Sequence, residues 1–144
     1  MSDPLIADPV AALVAVLLAD TVTNSLASGR VFGGELPEEE TPLMPRLALV
    51  LRASGGVAML AGSYVRADTM RIDAYAYGPT PRAAAGLMSV AALALRGVER
   101  LTIAHTLIHW VRPAGGYSSG REPDVEWPRA WQSFQVLHAL NPVA

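Results

Sequence analysis

The middle of the chain reads Thr69-Met-Arg-Ile-Asp-Ala-Tyr-Ala-Tyr-Gly-Pro-Thr-Pro-Arg-Ala-Ala-Ala-Gly-Leu-Met-Ser-Val-Ala-Ala-Leu-Ala-Leu-Arg-Gly-Val98. In residues 70–77 the even-numbered side chains are apolar and the odd-numbered ones are charged or aromatic, as in a strand with one buried face. After Gly78 the spacing of apolar residues changes to that of an amphipathic helix. The stretch therefore predicts a half-buried strand that leads directly into a packed helix.

The ends of this helix carry their own signals. Thr80 can cap the first turn through its hydroxyl, and Pro81 suits the first helical position because its missing N–H has no partner there. Arg96 and Gly97 fit the last turn and the stop. The stripe that faces a core then comprises Ala84, Leu87, Val90, Ala91, Ala94 and Leu95.

The remaining elements follow from similar local patterns. Asp8 and Pro9 open a helix whose apolar residues recur at helical spacing up to Leu18. That helix either continues past Asp20 or starts again there, and it ends at Gly29. Strands are predicted at residues 30–32, 47–52, 57–65, 101–111 and 131–137, with a hairpin turn at residues 54–56 joining the second and third.

This order predicts an α+β fold with a mostly antiparallel β-sheet and two main helices packed on one face. We expect one domain over residues 1–144. Residues 33–46 are expected to form an acidic loop, because two prolines and four carboxylates between positions 33 and 42 disfavour a regular element. Residues 113–129 are expected to form a Gly/Pro-rich loop that is flexible or serves for docking.

The composition excludes several classes of protein. The net charge is −2, and all eleven basic residues are arginines scattered singly, which argues against a protein that grips nucleic-acid phosphates. The chain has no cysteine, which excludes disulfides and thiolate metal sites. Its longest apolar runs are too short to span a bilayer, and no basic residue precedes the first, so we expect neither a membrane segment nor a secretory signal.

The charged fraction of 17% is low and suggests that partners cover part of the surface. Tyr75 and Tyr77 lie on the odd-numbered side of the central strand and are expected to be exposed. We expect them to act as interface anchors, because aromatic residues are enriched at interface cores. The full set of expected interface residues is Arg71, Tyr75, Tyr77, Trp127 and Trp131.

The order of these segments resembles that of the tail-terminator, or tail-completion, proteins of long-tailed bacteriophages and related tailed particles. Gly29-Arg30-Val31-Phe32 matches the family's step out of the first helix. Residues 70–77 and 81–96 match its central strand and helix, and Trp127 through Val136 match its closing strand. Residues 115–123 depart from the family, because this excursion is longer and richer in glycine.

The resemblance implies a structural protein of the virion, assembled in the host cytoplasm. It implies a homo-oligomeric ring, commonly of six subunits, at the head-proximal end of the tail tube. Such a ring ends polymerisation of the major tail tube protein, joins the tail to a head-side neck or stopper protein, and lets DNA pass without specific binding.

The acidic residues Glu35, Glu38, Glu39 and Glu40 have two interpretations. They are either a solvated loop or, in a ring, carboxylates that face the channel and repel a passing DNA backbone. The second hypothesis predicts that they matter for DNA passage and not for the fold.

Two motifs suggest chemistry but lack its structural context. Gly116-Tyr117-Ser118-Ser119-Gly120 spells a nucleophile elbow, with Asp124 and His138 in hydrolase order. An elbow needs a strand directly before the serine and a helix directly after it, whereas here Pro113-Ala-Gly-Gly precedes and Arg121-Glu-Pro123 follows. His105 and His109 would form a metal pair on a helix, but a strand separates their rings by about 13 Å. Without a P-loop, dinucleotide or EF-hand motif, we expect no catalytic residue, cofactor or metal site, and no enzymatic activity.

Three functions remain as hypotheses. The first is the tail terminator, for which a head-side stopper or adaptor is the runner-up. The second is a small serine hydrolase, and the third is an oligomeric α+β binding module with an unknown ligand. Gene neighbourhood separates them, because a terminator gene should lie among capsid, neck and tail genes.

Overall fold

Two short helices at the start of the chain meet at Asp20. In the computed structural model, which describes residues 5–55 and 67–144, α1 spans Pro9–Ala19 and α2 spans Thr21–Ala27, with a bend of 90° between them. The Asp20 carboxylate caps α2 by accepting hydrogen bonds from the hydroxyl (2.6 Å) and the backbone N–H (3.1 Å) of Thr23. These two bonds hold the pKa of Asp20 below its ordinary value. The first helix therefore ends at Asp20 and a second one starts there.

No single helix among the described residues is long and apolar enough to cross a membrane. Within residues 5–55 and 67–144, only α1 and α2 together reach the necessary length and hydropathy, and they do so across a right-angle break.

The central helix, α3, spans Pro81–Arg96, as its capping signals predict. The Thr80 hydroxyl accepts a hydrogen bond of 3.1 Å from the Ala83 N–H, and Pro81 takes the first helical position. The buried side of α3 comprises Ala84, Leu87, Met88, Ala91, Ala92 and Leu95. The predicted stripe is confirmed at four of its positions, while Val90 and Ala94 are only half-buried.

Among the described residues, seven strands form one sheet. They are β1 (Val31–Gly33), β2 (Ala48–Ala53), β3 (Ala67–Tyr77), β4 (Glu99–Ile103), β5 (Thr106–Pro113), β6 (Ser118–Arg121) and β7 (Pro128–Ala139). Their order across the sheet is β1-β2-β3-β7-β5-β4, and β6 pairs with β7. Among the pairs that these seven strands form, only β1–β2 is parallel. The predicted α+β class with a mostly antiparallel sheet is confirmed.

The core lies between the helices and one face of this sheet. Alternate residues of β3 and β7 point into it, among them Ile72 and Phe134, which are paired in the register and fully buried. Leu13 and Leu17 of α1 and Leu87 of α3 belong to the same cluster. Burial of each such side chain stabilises the fold by about 1.5–3 kcal/mol. The apolar alternation of the strands therefore determines which face of the sheet packs against the helices.

The strand predicted over residues 101–111 is wrong, because the segment is a hairpin. Ile103 and Thr106 pair, and the two residues between them, Ala104 and His105, both have positive φ (50° and 59°). Such two-residue turns match the twist of the flanking strands. Neither residue is Gly or Asn, so the turn gave no signal in the sequence.

Two expected loops contain regular structure. Residues 118–121 form β6, which runs along β7 with Ser119 opposite Ala130, so the loop prediction over 113–129 is wrong there. Residues 38–43 of the acidic connection form a short 3-10 helix, Glu38–Leu43. Three carboxylates in its first turn complement the partial positive charge of a helix N-terminus. The strand predicted over residues 57–65 lies outside the described residues, and β2 pairs with β3.

Candidate assembly surfaces

The sheet face opposite the helices displays arginine side chains stacked on aromatic rings. Tyr75 lies between Val50 and Trp131 in the strand register. The Arg129 guanidinium lies over both Tyr75 and Trp131, at 5.2 and 5.0 Å from the ring centroids. Arg52 lies over the Tyr75 ring at 5.4 Å. Each contact of this kind contributes about 0.5–1 kcal/mol at an exposed site. We call Arg52, Tyr75, Arg129 and Trp131 the outer ladder.

Tyr77 lies on the same face but is buried, with 6% of its surface exposed. Its ring meets Trp127 edge-on at 6.0 Å, and its hydroxyl donates a hydrogen bond of 3.1 Å to Glu122. Arg129 donates to the same carboxylate. Burial and the negative charge of Glu122 raise the pKa of Tyr77 to about 12.

The expectation that Tyr77 is exposed is therefore wrong. The turn between β6 and β7, which carries Glu122 and Trp127, folds over its ring. Its role at an interface stays a prediction, as do those of the half-buried Trp127 and Trp131.

Arg71 stands at the other end of the outer face and is half-exposed. Its guanidinium donates a hydrogen bond of 3.1 Å to the Ser133 hydroxyl, which in turn donates to the Asp73 carboxylate. Arg71 Nε also lies 3.7 Å from that carboxylate. Arg71 is thus held at the surface by a neighbouring strand, whereas Tyr75 is half-buried beneath two guanidinium groups. The interface roles of both residues stay predictions.

Residues 35–43, here called the acidic segment, carry four carboxylates whose surroundings differ. Glu40 forms an ion pair with Arg46 and is largely covered. Glu35, Glu38 and Glu39 are exposed and form no ion pair with the described residues. Three free carboxylates therefore remain for an outside contact, and their placement towards a channel stays a prediction.

Three arginines come together beside β4 and β5, two of them four residues apart in sequence and the third brought to them by the β4–β5 hairpin. Arg96 ends α3, Arg100 lies in β4 and Arg112 lies in β5, and all three line a recess of about 560 Å³. The Arg112 guanidinium stacks on the Trp110 ring at 4.2 Å. None of the three forms an ion pair with a carboxylate in the described part of the chain. We call this the basic recess, and nothing in the sequence pattern predicts it, because hairpin pairing creates it.

The residues of the suspected nucleophile elbow do not assemble. Ser118 pairs with Trp131 and shares its face of the sheet, whereas His138 lies seven residues further along β7. That separation is about 23 Å at strand spacing, and the odd number places the two side chains on opposite faces. Ser118, Asp124 and His138 therefore cannot form a catalytic triad.

The two histidines considered for a metal site also lie in different surroundings. His105 belongs to the β4–β5 turn, where its Nδ1 lies 3.0 Å from the Val143 carbonyl oxygen. His109 lines the basic recess. In residues 5–55 and 67–144, no three His, Cys, Asp or Glu side chains are grouped so that they could hold a metal ion.

Comparison with known proteins identifies a shared fold. No protein-family model matches the sequence, and no curated protein matches it. A chain in the solved structure of the virion of a native gene transfer agent (GTA) particle is similar, with a TM-score of 0.66 and 14% identity. The match covers 91% of this chain and 94% of that chain, so it spans nearly the whole fold.

Proposed function

We propose that this chain is a structural protein of a tailed, phage-like particle and acts as its tail terminator. The observation that carries the proposal is the shared fold with a virion chain over 91% of this chain. The Gly29–Phe32 step, the central strand-helix unit and the closing strand, on which the sequence resembles tail terminators, support the more specific role. Neither the fold match nor the sequence resemblance involves a catalytic residue.

In this role the protein acts by geometry. A ring of identical subunits, six by resemblance, would sit on the last layer of the major tail tube protein and block further addition. Its other side would bind the head-side neck or stopper protein, and DNA would pass through the centre. A ring whose subunits share one orientation has two different faces, as a contact with two different partners requires.

Deletion of the gene tests the proposal. If the ring ends tube polymerisation, particles without it should yield tubes of variable and excessive length that carry no heads. Electron microscopy of wild-type particles should show a ring of this protein at the head–tail junction. Tubes of normal length after deletion, or a junction without this protein, would reject the terminator.

The runner-up is a head-side stopper or adaptor, and the same experiment separates it from the terminator. Loss of a head-side protein should leave tails of normal length beside heads that fail to join them. The fold match favours a virion protein without selecting between these neighbouring positions.

A further inference from the structure

Beside the basic recess lies a second, apolar recess of about 480 Å³. The two share Val98 and Glu99, so they form one continuous surface at the β4 edge of the sheet. Leu93 of α3 and Leu101 of β4 line the apolar part, and Leu93 is 76% exposed. We call the two recesses together the β4 surface.

The acidic segment has the complementary chemistry. It presents the free carboxylates of Glu35, Glu38 and Glu39, followed by Leu43, which is 57% exposed. The carboxylates can thus pair with the arginines of the basic recess, and the leucine can fill the adjacent apolar recess. An exposed leucine beside a run of charges gains stability only when another surface covers it.

Within one chain the two surfaces do not meet. The acidic segment connects β1 to β2 at one end of the sheet order, and β4 is at the other end. None of the described residues from 34 to 47 lines either recess. The charges on each surface therefore form no ion pair with one another within residues 5–55 and 67–144.

We propose that the acidic segment of one subunit docks on the β4 surface of the next. In this contact Glu38 and Glu39 meet the arginines of the basic recess, and Leu43 enters the apolar recess. The inference rests on the proposed ring and supplies its subunit boundary. Because the contact joins two different surfaces, it repeats head-to-tail and generates a closed ring when the rotation closes.

A second copy fits the β4 surface better than a DNA backbone does. Charge alone does not select between them, because the arginines of the basic recess attract phosphates and carboxylates alike and Glu99 repels both. The apolar recess does select, because Leu43 can enter it whereas a phosphate backbone offers it no apolar group. The same contact would place Glu38 and Glu39 between subunits and not along the channel.

Cross-linking tests the contact directly, because the natural chain has no cysteine. The double variant Glu39→Cys/Arg100→Cys should give a ladder of oligomers beyond the dimer in purified particles treated with a short bismaleimide linker. A mixture of the two single variants should stop at dimers, since each subunit then carries one reactive end. Particles that contain the double variant but give no ladder overturn the inference.

A charge exchange provides the second test. Arg100→Glu/Arg112→Glu should reduce the yield of particles at least about tenfold, because like charges then face each other at the boundary. Adding Glu38→Arg/Glu39→Arg to the same chain should restore most of that yield. Arg82→Glu, outside both recesses, is the matched control, and circular dichroism verifies that each variant folds.

The outcomes separate this inference from its alternatives. If Glu38→Gln/Glu39→Gln leaves rings intact but slows DNA release, the channel hypothesis is correct and the docking contact is wrong. If the arginine variants form rings but lose affinity for DNA fragments in a gel-shift assay, the recess binds DNA. A ring that gives no ladder rejects the contact alone, whereas absence of any ring at the junction rejects the proposed function.

Discussion

The Tyr77 hydroxyl takes part in a polar contact that links three parts of the sheet. It belongs to β3, bonds to Glu122 in the turn after β6, and shares that carboxylate with Arg129 of β7. Arg129 in turn stacks on Tyr75 and Trp131. The contact with Glu122 therefore fixes the position of Arg129, on which the stacking of the outer ladder depends.

Replacement of Tyr77 by Phe should lower the free energy of unfolding by about 1–2 kcal/mol, because a hydrogen bond to a charged group is lost. In the wild type, the folded pKa of about 12 lies above the ordinary value of 10. The stability from this group is therefore complete below about pH 10 and disappears as the pH rises towards 12.

Urea denaturation at several alkaline pH values measures both effects. The wild type should lose stability over that range, and Tyr77→Phe should lose less. Tyr117→Phe is the control, because Tyr117 is 48% exposed. Equal alkaline losses in the wild type and Tyr77→Phe would show that the hydroxyl does not contribute.

Alternation places Tyr75 and Tyr77 on the outer face, but it cannot tell which of them is covered. Burial of Tyr77 depends on Trp127, fifty residues further along the chain, and on a turn that the sequence marks only as a loop. The basic recess could not be predicted from the sequence for the same reason: Arg112 joins Arg96 and Arg100 only through the pairing of β4 with β5.

At the scale of elements, one side of α3 packs into the core and the opposite side faces solvent. Leu87 is 1% exposed and belongs to the core, whereas Leu93, less than two turns later, is 76% exposed. One helix therefore allows the two roles to be separated by mutation.

Leu87→Asp should lower the free energy of unfolding by more than about 4 kcal/mol, a large part of a typical total of about 5–15 kcal/mol, because it buries an unpaired charge. Leu93→Asp introduces the same charge on the solvent side and should change stability by less than about 0.5 kcal/mol. Thermal denaturation followed by circular dichroism compares them. A Leu87→Asp variant as stable as Leu93→Asp would contradict the packing of α3 against the sheet.

The elements with complete local signals are the ones that sequence predicts correctly. Both long helices carry a capping residue and a first-turn proline, and β3 carries a strict alternation. The β4–β5 turn was missed because Ala104 and His105 adopt left-handed conformations that their side chains do not favour. Strand β6 was missed because Ser118-Ser-Gly-Arg121 has no strand pattern and is ordered only by its neighbour β7.

At the scale of the whole molecule, the described part of the subunit presents charges of opposite sign on separate surfaces, with no ion pair between the two surfaces. The net charge of −2 conceals this division. If the acidic segment docks on the β4 surface of the next subunit, assembly should depend on ionic strength, because exposed charge pairs are screened by salt.

Raising the salt concentration from about 0.15 M to about 1 M shortens the screening length from about 8 Å to about 3 Å and should release subunits from the ring. Glu38→Gln/Glu39→Gln should lower the assembled fraction already at the lower salt concentration, and added salt should then have little further effect. Sedimentation of detached rings measures the assembled fraction. Wild-type rings that stay assembled at the higher salt concentration would show that the subunit boundary is mainly apolar.

The interruption between β5 and β6 provides a place for a reporter. Both strands run along the same edge of β7, where Pro113 pairs with Phe134 and Ser118 with Trp131. The five residue steps from Pro113 to Ser118 thus lie opposite only three steps of β7. The extra residues leave the sheet around Gly115 and Gly116, where an added Cβ atom would meet no other atom within 4 Å. An epitope inserted there begins and ends at anchored backbone, so an antibody fragment bound to it would show each subunit's orientation in a micrograph.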